Sequence, residues 1–148
     1  MFPNAKGSEL LSVLATIDPA AQAAGTVSTS WISLANHHGL LAVIQTGVLG
    51  ASATLDAKLQ QASDATGTGA KDITGKAITQ IVKVSGDNKQ VLINAKPEDL
   101  DTVNGFGFAR LSITVGVASS QTAALVLGLS PRFAPADASN QAAVVQNL

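Results

Sequence analysis

The sequence predicts an all-β protein, an antiparallel and jelly-roll-like β-sandwich. Three observations carry this. Apolar residues recur at period two in Ala53–Gln60 and again in Phe106–Val117, the mark of strands with one face buried. Turn clusters separate such runs at spacings of roughly 8–15 residues, as in sandwiches and barrels. No strand–helix–strand alternation occurs, which argues against a parallel α/β sheet. A chain of 148 residues fits one domain and buries about two-thirds of its unfolded surface by area scaling. We divide it into an N-terminal arm (1–25), a sandwich domain (26–130) and a C-terminal tail (131–148).

In order along the chain, Ser8–Leu14 is expected to open a short helix with Ser8 as N-cap. The capping-box position three residues on holds Leu11 instead of an acid. Pro19 ends this helix, and an Ala/Gly connector runs to Gly25. Val27–Leu34 is rich in β-formers and reads as a strand. Asn36-His37-His38-Gly39 reads as a turn. Leu40–Leu49 is apolar on both parities, as expected of a strand buried on both faces or curving through a core.

Ala53–Gln60 points Ala53, Leu55, Ala57 and Leu59 inward and Thr54, Asp56, Lys58 and Gln60 outward. A loop from Ala62 to Gly69 follows. Within Ile73–Val84, Gly75 coincides with a slip in apolar phase towards Ile78, Val82 and Val84, predicting a bulge or a broken pair of strands. Ser85-Gly86-Asp87-Asn88 is a hairpin-type turn before the strand Lys89–Asn94. Pro97–Asp101 forms one helical turn with proline first. Phe106–Val117 places Ala109, Leu111, Ile113, Val115 and Val117 inward and Arg110, Ser112 and Thr114 outward. Thr122–Leu129 is the last strand, giving six or seven in all. The tail from Pro131 is extended; Val144, Val145 and Leu148 are candidates to anchor it to a neighbour, the alternative being a frayed terminus.

Composition excludes whole classes of function. There is no cysteine, hence no disulfide framework, thiolate metal site or cysteine nucleophile. Nine basic against ten acidic residues give a net charge of −1, too little basic field for a nucleic-acid partner. Leu40–Leu49 falls short of the ~20 apolar residues a spanning helix needs, and Met1–Ala20 lacks the pattern of a secretory signal. We therefore expect synthesis in the cytoplasm and no membrane partner. Aromatic residues make up 3% of the chain: one Trp, four Phe and no Tyr. That is too few for a base-stacking platform.

Candidate chemical sites fare poorly. The adjacent His37 and His38 form a turn, without the further ligands a metal needs. Asp64–Asp72 resembles a calcium or phosphate loop only superficially: EF-hand spacing and the Gly-Lys-Ser/Thr ending are both missing. A weak cation site at Asp64 or Asp72 stays open. Glu98, Asp99 and Asp101 share a solvated turn, without the buried pocket that tunes a general acid. No Gly-x-Ser-x-Gly elbow occurs. No catalytic residue, metal or cofactor is expected. Phe106, Phe108 and Arg110 share a strand face and form a candidate surface for sugar, base or protein, unless a bulge turns both Phe inward. Arg132 and Phe133 at the head of the tail join them as candidate partner contacts.

Ala53–Gly75 ends its strand in Gln61-Ala62-Ser63-Asp64, then steps through Asp72-Ile73-Thr74-Gly75. After the Ser85–Gln90 turn comes Gly105-Phe106-Gly107-Phe108-Ala109-Arg110-Leu111. This order resembles small β-sandwich virion structural proteins of tailed bacteriophages and prophages, over about Val27–Pro135. The resemblance implies a non-enzymatic capsid decoration (cement) protein on the virion surface. Its partners would be the major capsid protein and copies of itself, as a homo-oligomer. Neck or tail positions are the alternative within that class, and a carbohydrate- or receptor-binding module the alternative outside it. The resemblance carries no catalytic residues.

Overall fold

The computed structural model describes residues 4–147. Ten strands form two antiparallel sheets: β1 (Leu11–Gln22), β2 (Gly25–Ser28), β3 (Ile32–Ser33), β4 (His37–Thr46), β5 (Thr54–Ala62), β6 (Lys71–Ala77), β7 (Ile81–Val82), β8 (Gln90–Ala95), β9 (Phe108–Gly116) and β10 (Ser120–Pro131). One sheet has the order β1-β10-β4-β8. The other has β2-β9-β5-β6, with β3 on β9 and β7 on β5. With the two-residue strands β3 and β7 set aside, this interleaving of early and late strands is a jelly roll.

Both diagnostic alternations stand. In β5, Leu55, Ala57 and Leu59 are buried; in β9, Ala109, Leu111, Ile113 and Val115 are. Leu59 lies opposite Leu111, and Ala57 opposite Ile113. Facing them across the core are Ala15, Ile17, Leu40, Ala42, Ile44, Ile93, Ala124 and Val126 of the first sheet. Gly75 has φ +74, and the register of β6 on β5 slips from Lys58↔Ala77 to Gln60↔Asp72. The expected bulge and the expected break, at β7, are both present.

Several expectations need correction. The N-terminal helix is a single turn, Gly7–Leu10, where Glu9 accepts from the Lys6 N–H at 2.8 Å. Leu11–Gln22, read as helix and connector within the arm, is a strand along β10. The register shift between Ile17 and Ala20 absorbs Pro19 on this edge strand, where a missing N–H is tolerated. Val27–Leu34 is two strands, broken at Thr29–Trp31. His37 and His38 belong to β4 rather than a turn, and His37 is buried.

Ser85–Asn88 is no hairpin. β7 pairs with β5 in one sheet and β8 with β4 in the other, so this segment crosses between sheets through the helical turn Lys83–Gly86. The crossing is pinned where Asp87 Oδ1 accepts from the Leu49 N–H (2.8 Å) and Thr46 Oγ1 donates to the Gly86 carbonyl (2.6 Å). Val84 lies outside the core in that turn. Val117 is 72% exposed at φ +69, because β9 ends at Gly116. Ser112, expected outward, is buried against Ser28, whose hydroxyl donates to it at 3.1 Å.

The tail packs back on the sandwich. A 3-10 turn, Ala136–Ser139, buries Ala136. Asn140 Oδ1 accepts from the Val13 N–H (2.7 Å), and the Val13 carbonyl accepts from the Gln141 N–H (2.8 Å). Of the candidate anchors, Val144 is half-buried and Val145 is 92% exposed; Leu148 lies outside the described residues.

Below Ala136 a polar chain runs into the core. The Ser12 hydroxyl donates to the Ala136 carbonyl, so the Ser12 oxygen accepts from His37 Nε2 at 3.0 Å. That fixes the imidazole tautomer and leaves buried Nδ1 without a partner among the described residues. Burial holds the His37 pKa below its ordinary value, because the charged ring has lost its water. The sign follows: the folded state binds the proton less well than the unfolded one. Stability is therefore full above the ordinary imidazole value of ~6.5 and falls as pH drops through it. Urea midpoints are expected to fall between pH 7.5 and 5.5, and His37→Gln to flatten that slope. An equally steep variant would place the titration elsewhere. The carboxylates act in a lower window. Asp72, Asp87 and Asp99 are held below the usual range chiefly by hydrogen bonds from Lys58, the Lys83 side chain and the Lys96 N–H respectively. Their contribution is lost only as pH falls through about 4.

Candidate functional site

The long loop from Ser63 to Ala70 folds over one end of the β2-β9-β5-β6 sheet. Asp64 organises it: Oδ1 accepts from the Thr66 N–H (2.9 Å), the Thr66 hydroxyl (2.7 Å) and the Thr68 N–H (3.1 Å). The Thr68 hydroxyl, together with these donors, holds its carboxyl far below the usual range, and Asp64 serves as a turn cap. Asp72 is paired with Lys58 and with the Gln60 amide, each at 2.8 Å. Among the described residues, no three His, Cys, Asp or Glu side chains cluster as metal ligands.

Beneath the loop lies Trp31, at the break between β2 and β3. The Arg110 guanidinium stacks 4.4 Å from its ring, and Nε and Nη2 donate to Gln60 Oε1 at 3.0 and 2.9 Å. Gly67 sits against the indole edge at φ +90, with no room for a Cβ. Gly67→Ala combines left-handed strain with a clash. It is expected to cost about 1–3 kcal/mol and to shift the emission of the lone tryptophan, read by fluorescence during urea titration. An unchanged spectrum and midpoint would mean the loop does not rest on Trp31.

The five residues grouped from sequence divide. Phe106, Phe108 and Arg132 line one cleft of about 320 Å³ with Leu34, Pro97 and Leu100. Phe106 and Phe108 are half-buried, and Phe133 stands 75% exposed next to Arg132 in the chain. Arg110 is drawn instead to Trp31 and Gln60. The Phe106 ring also carries Lys71 Nζ at 4.2 Å, a cation–π contact, while that ammonium donates to Asp101 Oδ2 at 2.6 Å. The acidic turn is thus an ion-pairing element: Asp101 takes Lys71 and Asp99 takes Lys76 at 3.0 Å. Lys71 and Trp31 went unrecognised from sequence; the positive-φ glycines Gly67 and Gly69 were the signal that the loop doubles back on something flat.

The outer faces of the two sheets differ sharply. On the β2-β9-β5-β6 sheet, polar side chains pair across strands: Thr26 with Thr114 (2.8 Å), Asp56 with Gln80 (2.8 Å), and Gln60 with Arg110. On the β1-β10-β4-β8 sheet, Leu41 and Val43 of β4 are only half covered. Leu92 is 59% and Leu125 44% exposed. The expected burial of β4 on both faces therefore holds for one face only. A second groove, of about 440 Å³, lies at the end of this face between Pro19, Gln45, Asn88 and Gln121 and contains no ionisable side chain.

No family model matches the chain, and no curated protein does. Several solved structures match it at low identity. Broad bean stain virus, solved by electron cryo-microscopy, matches with 10% identity over 88% of this chain and 93% of that one, TM-score 0.49. An empty virus-like particle of cowpea mosaic virus matches with 9% identity over 86% and 84%, TM-score 0.47. The SPBc2 prophage-derived protein YomS matches with 7% identity over 80% and 93%, TM-score 0.43.

Proposed function

We propose that this chain is a non-enzymatic virion structural protein of a tailed bacteriophage or prophage, decorating the capsid surface and stabilising the shell through contacts with the major capsid protein and with its own copies. The order of strand and turn motifs between Val27 and Pro135 supports the class. The observation that carries the contact assignment is the end cleft. Phe106 and Phe108 meet Arg132 there from a distant segment, and Phe133, exposed, follows Arg132 in the chain. Aromatic residues and arginine are enriched at protein–protein interfaces. The ring of Phe106 and the guanidinium of Arg110 are already engaged within the chain, which favours a protein contact over a sugar-stacking platform.

Adding the purified chain to shells that lack it is expected to raise their melting temperature. Phe133→Ala with Arg132→Ala should weaken shell binding by about 2 kcal/mol, roughly thirty-fold, with the chain's own unfolding midpoint unchanged. Absence of binding to expanded shells would refute the capsid placement. A neck or tail protein is separated by copy number: six or twelve per particle is typical of a closed ring, hundreds of a decorated shell.

A further inference from the structure

The outer face of the β1-β10-β4-β8 sheet can be read row by row from its register. One row runs Leu92, Val43, Leu125, Thr16 across the four strands. The next runs Asn94, Leu41, Leu127, Val13. Beyond it lie Gly39, Leu129 and Leu11; on the other side lie Gln90, Gln45 and Ala123. Not one of these positions is charged, and the two central rows are mostly Leu and Val. The opposite sheet carries Asp56, Lys58 and Arg110 on its outer face. One sheet is written for water and the other is not.

We infer that this aliphatic face is the surface on which a second copy of the chain packs, sheet to sheet, about a two-fold axis. The proposal deepens the assembly reading above and rests on it for the claim that copies of this chain meet. Three features favour a second copy. The central rows hold no charged side chain, so their own image meets them without a like-charge pair; the carboxylate nearest them, Asp18, stands at the β1 margin and accepts from the Thr16 hydroxyl at 3.1 Å. Its size suffices. Four strands about 4.8 Å apart and about ten residues long at ~3.3 Å each give roughly 600 Å² of projected area, and side-chain relief brings it near the ~800 Å² per partner of a standard interface. Finally, addition of a strand at the β1 edge is obstructed at Val13, whose N–H and carbonyl are held by Asn140 and Gln141. Stacking of faces, as between the sheets of a sandwich, needs no free edge.

Sedimentation velocity on the full chain from 1 to 100 µM tests this. The wild type is expected to sediment as a dimer. Leu125→Glu, and independently Leu92→Lys, should weaken association at least tenfold with an unchanged far-ultraviolet spectrum, since both side chains already reach solvent. Thr114→Glu on the opposite face should leave the dimer intact. A wild type monomeric at 100 µM overturns the proposal, as does a Leu125→Glu chain that still dimerises. So does a monomeric wild type whose binding to shells is abolished by Leu125→Glu, because the face then belongs to the shell subunit. A chain that dimerises through this face yet binds no shell upholds the interface and refutes the capsid placement, so the two fail separately.

Discussion

Leu111→Ala is expected to lower the unfolding free energy by about 2–5 kcal/mol, the range for removing a fully buried leucine and leaving a partly collapsed cavity. Leu111 sits mid-strand in β9, opposite Leu59 of β5, with both side chains wholly inaccessible. Its N–H is also taken by the hydroxyl of Thr29 at 3.1 Å, and its carbonyl by the Thr29 N–H at 2.9 Å. The backbone there is held on both sides and has little freedom to close over a void. Against a total stability of about 5–15 kcal/mol, the loss is a large fraction of what holds the domain. Urea unfolding followed by circular dichroism measures it, with Leu92→Ala as the internal contrast. Leu92 has the same chemistry but faces outward, so in the dissociated chain its truncation should cost under about 1 kcal/mol. Equal losses at the two positions would show that the inner and outer faces are wrongly assigned.

Gly128→Ala should cost about 1–3 kcal/mol, the usual penalty for overpacking, and should also loosen the C-terminal tail. A Cβ at Gly128 would stand 2.5 Å from Cδ2, 2.7 Å from Nε2 and 2.8 Å from Cγ of His37. The imidazole cannot swing aside freely, because Nε2 is bonded to Ser12 and Ser12 to the Ala136 carbonyl. Moving the ring therefore breaks the polar chain that seats Ala136. Hydrogen exchange should show faster exchange at the Gln141 amide, which donates to Val13, along with a lower unfolding midpoint. A variant with the lower midpoint but unchanged exchange at Gln141 would mean that the tail is held independently of His37.

Particular residues show where sequence reasoning succeeded and where it ran out. Period-two alternation identified the inner faces of β5 and β9, because a half-buried strand must alternate. The glycine and phase slip at Gly75 announced a bulge for an equally local reason. Failures came where partners distant in sequence overrode local signals. Leu11–Gln22 carries a proline and no clean alternation, yet forms a strand because β10 offers it a long ladder, with register shifts at Val13/Ala15 and Ile17/Ala20. Ser85–Asn88 has hairpin residues, yet its flanking strands belong to different sheets. Phe106, Phe108 and Arg110 follow one another at period two, yet Arg110 turns to Trp31 some 80 residues earlier in the chain, a contact no spacing rule contains.

The apolar run at Leu40–Leu49 joins the two sides. Its composition called for a strand buried on both faces or curving through a core. Within one chain the fold covers only the face carrying Leu40, Ala42 and Ile44 and leaves Leu41 and Val43 half open. By itself the sequence determined the class of fold, the core-facing residues of β5 and β9 and the absence of thiol chemistry, because those depend on local periodicity and composition alone. The tertiary structure decided which strands share a sheet, which polar groups close on one another, and which aliphatic face is left over. Those are long-range pairings, set by whichever distant strand satisfies each backbone edge.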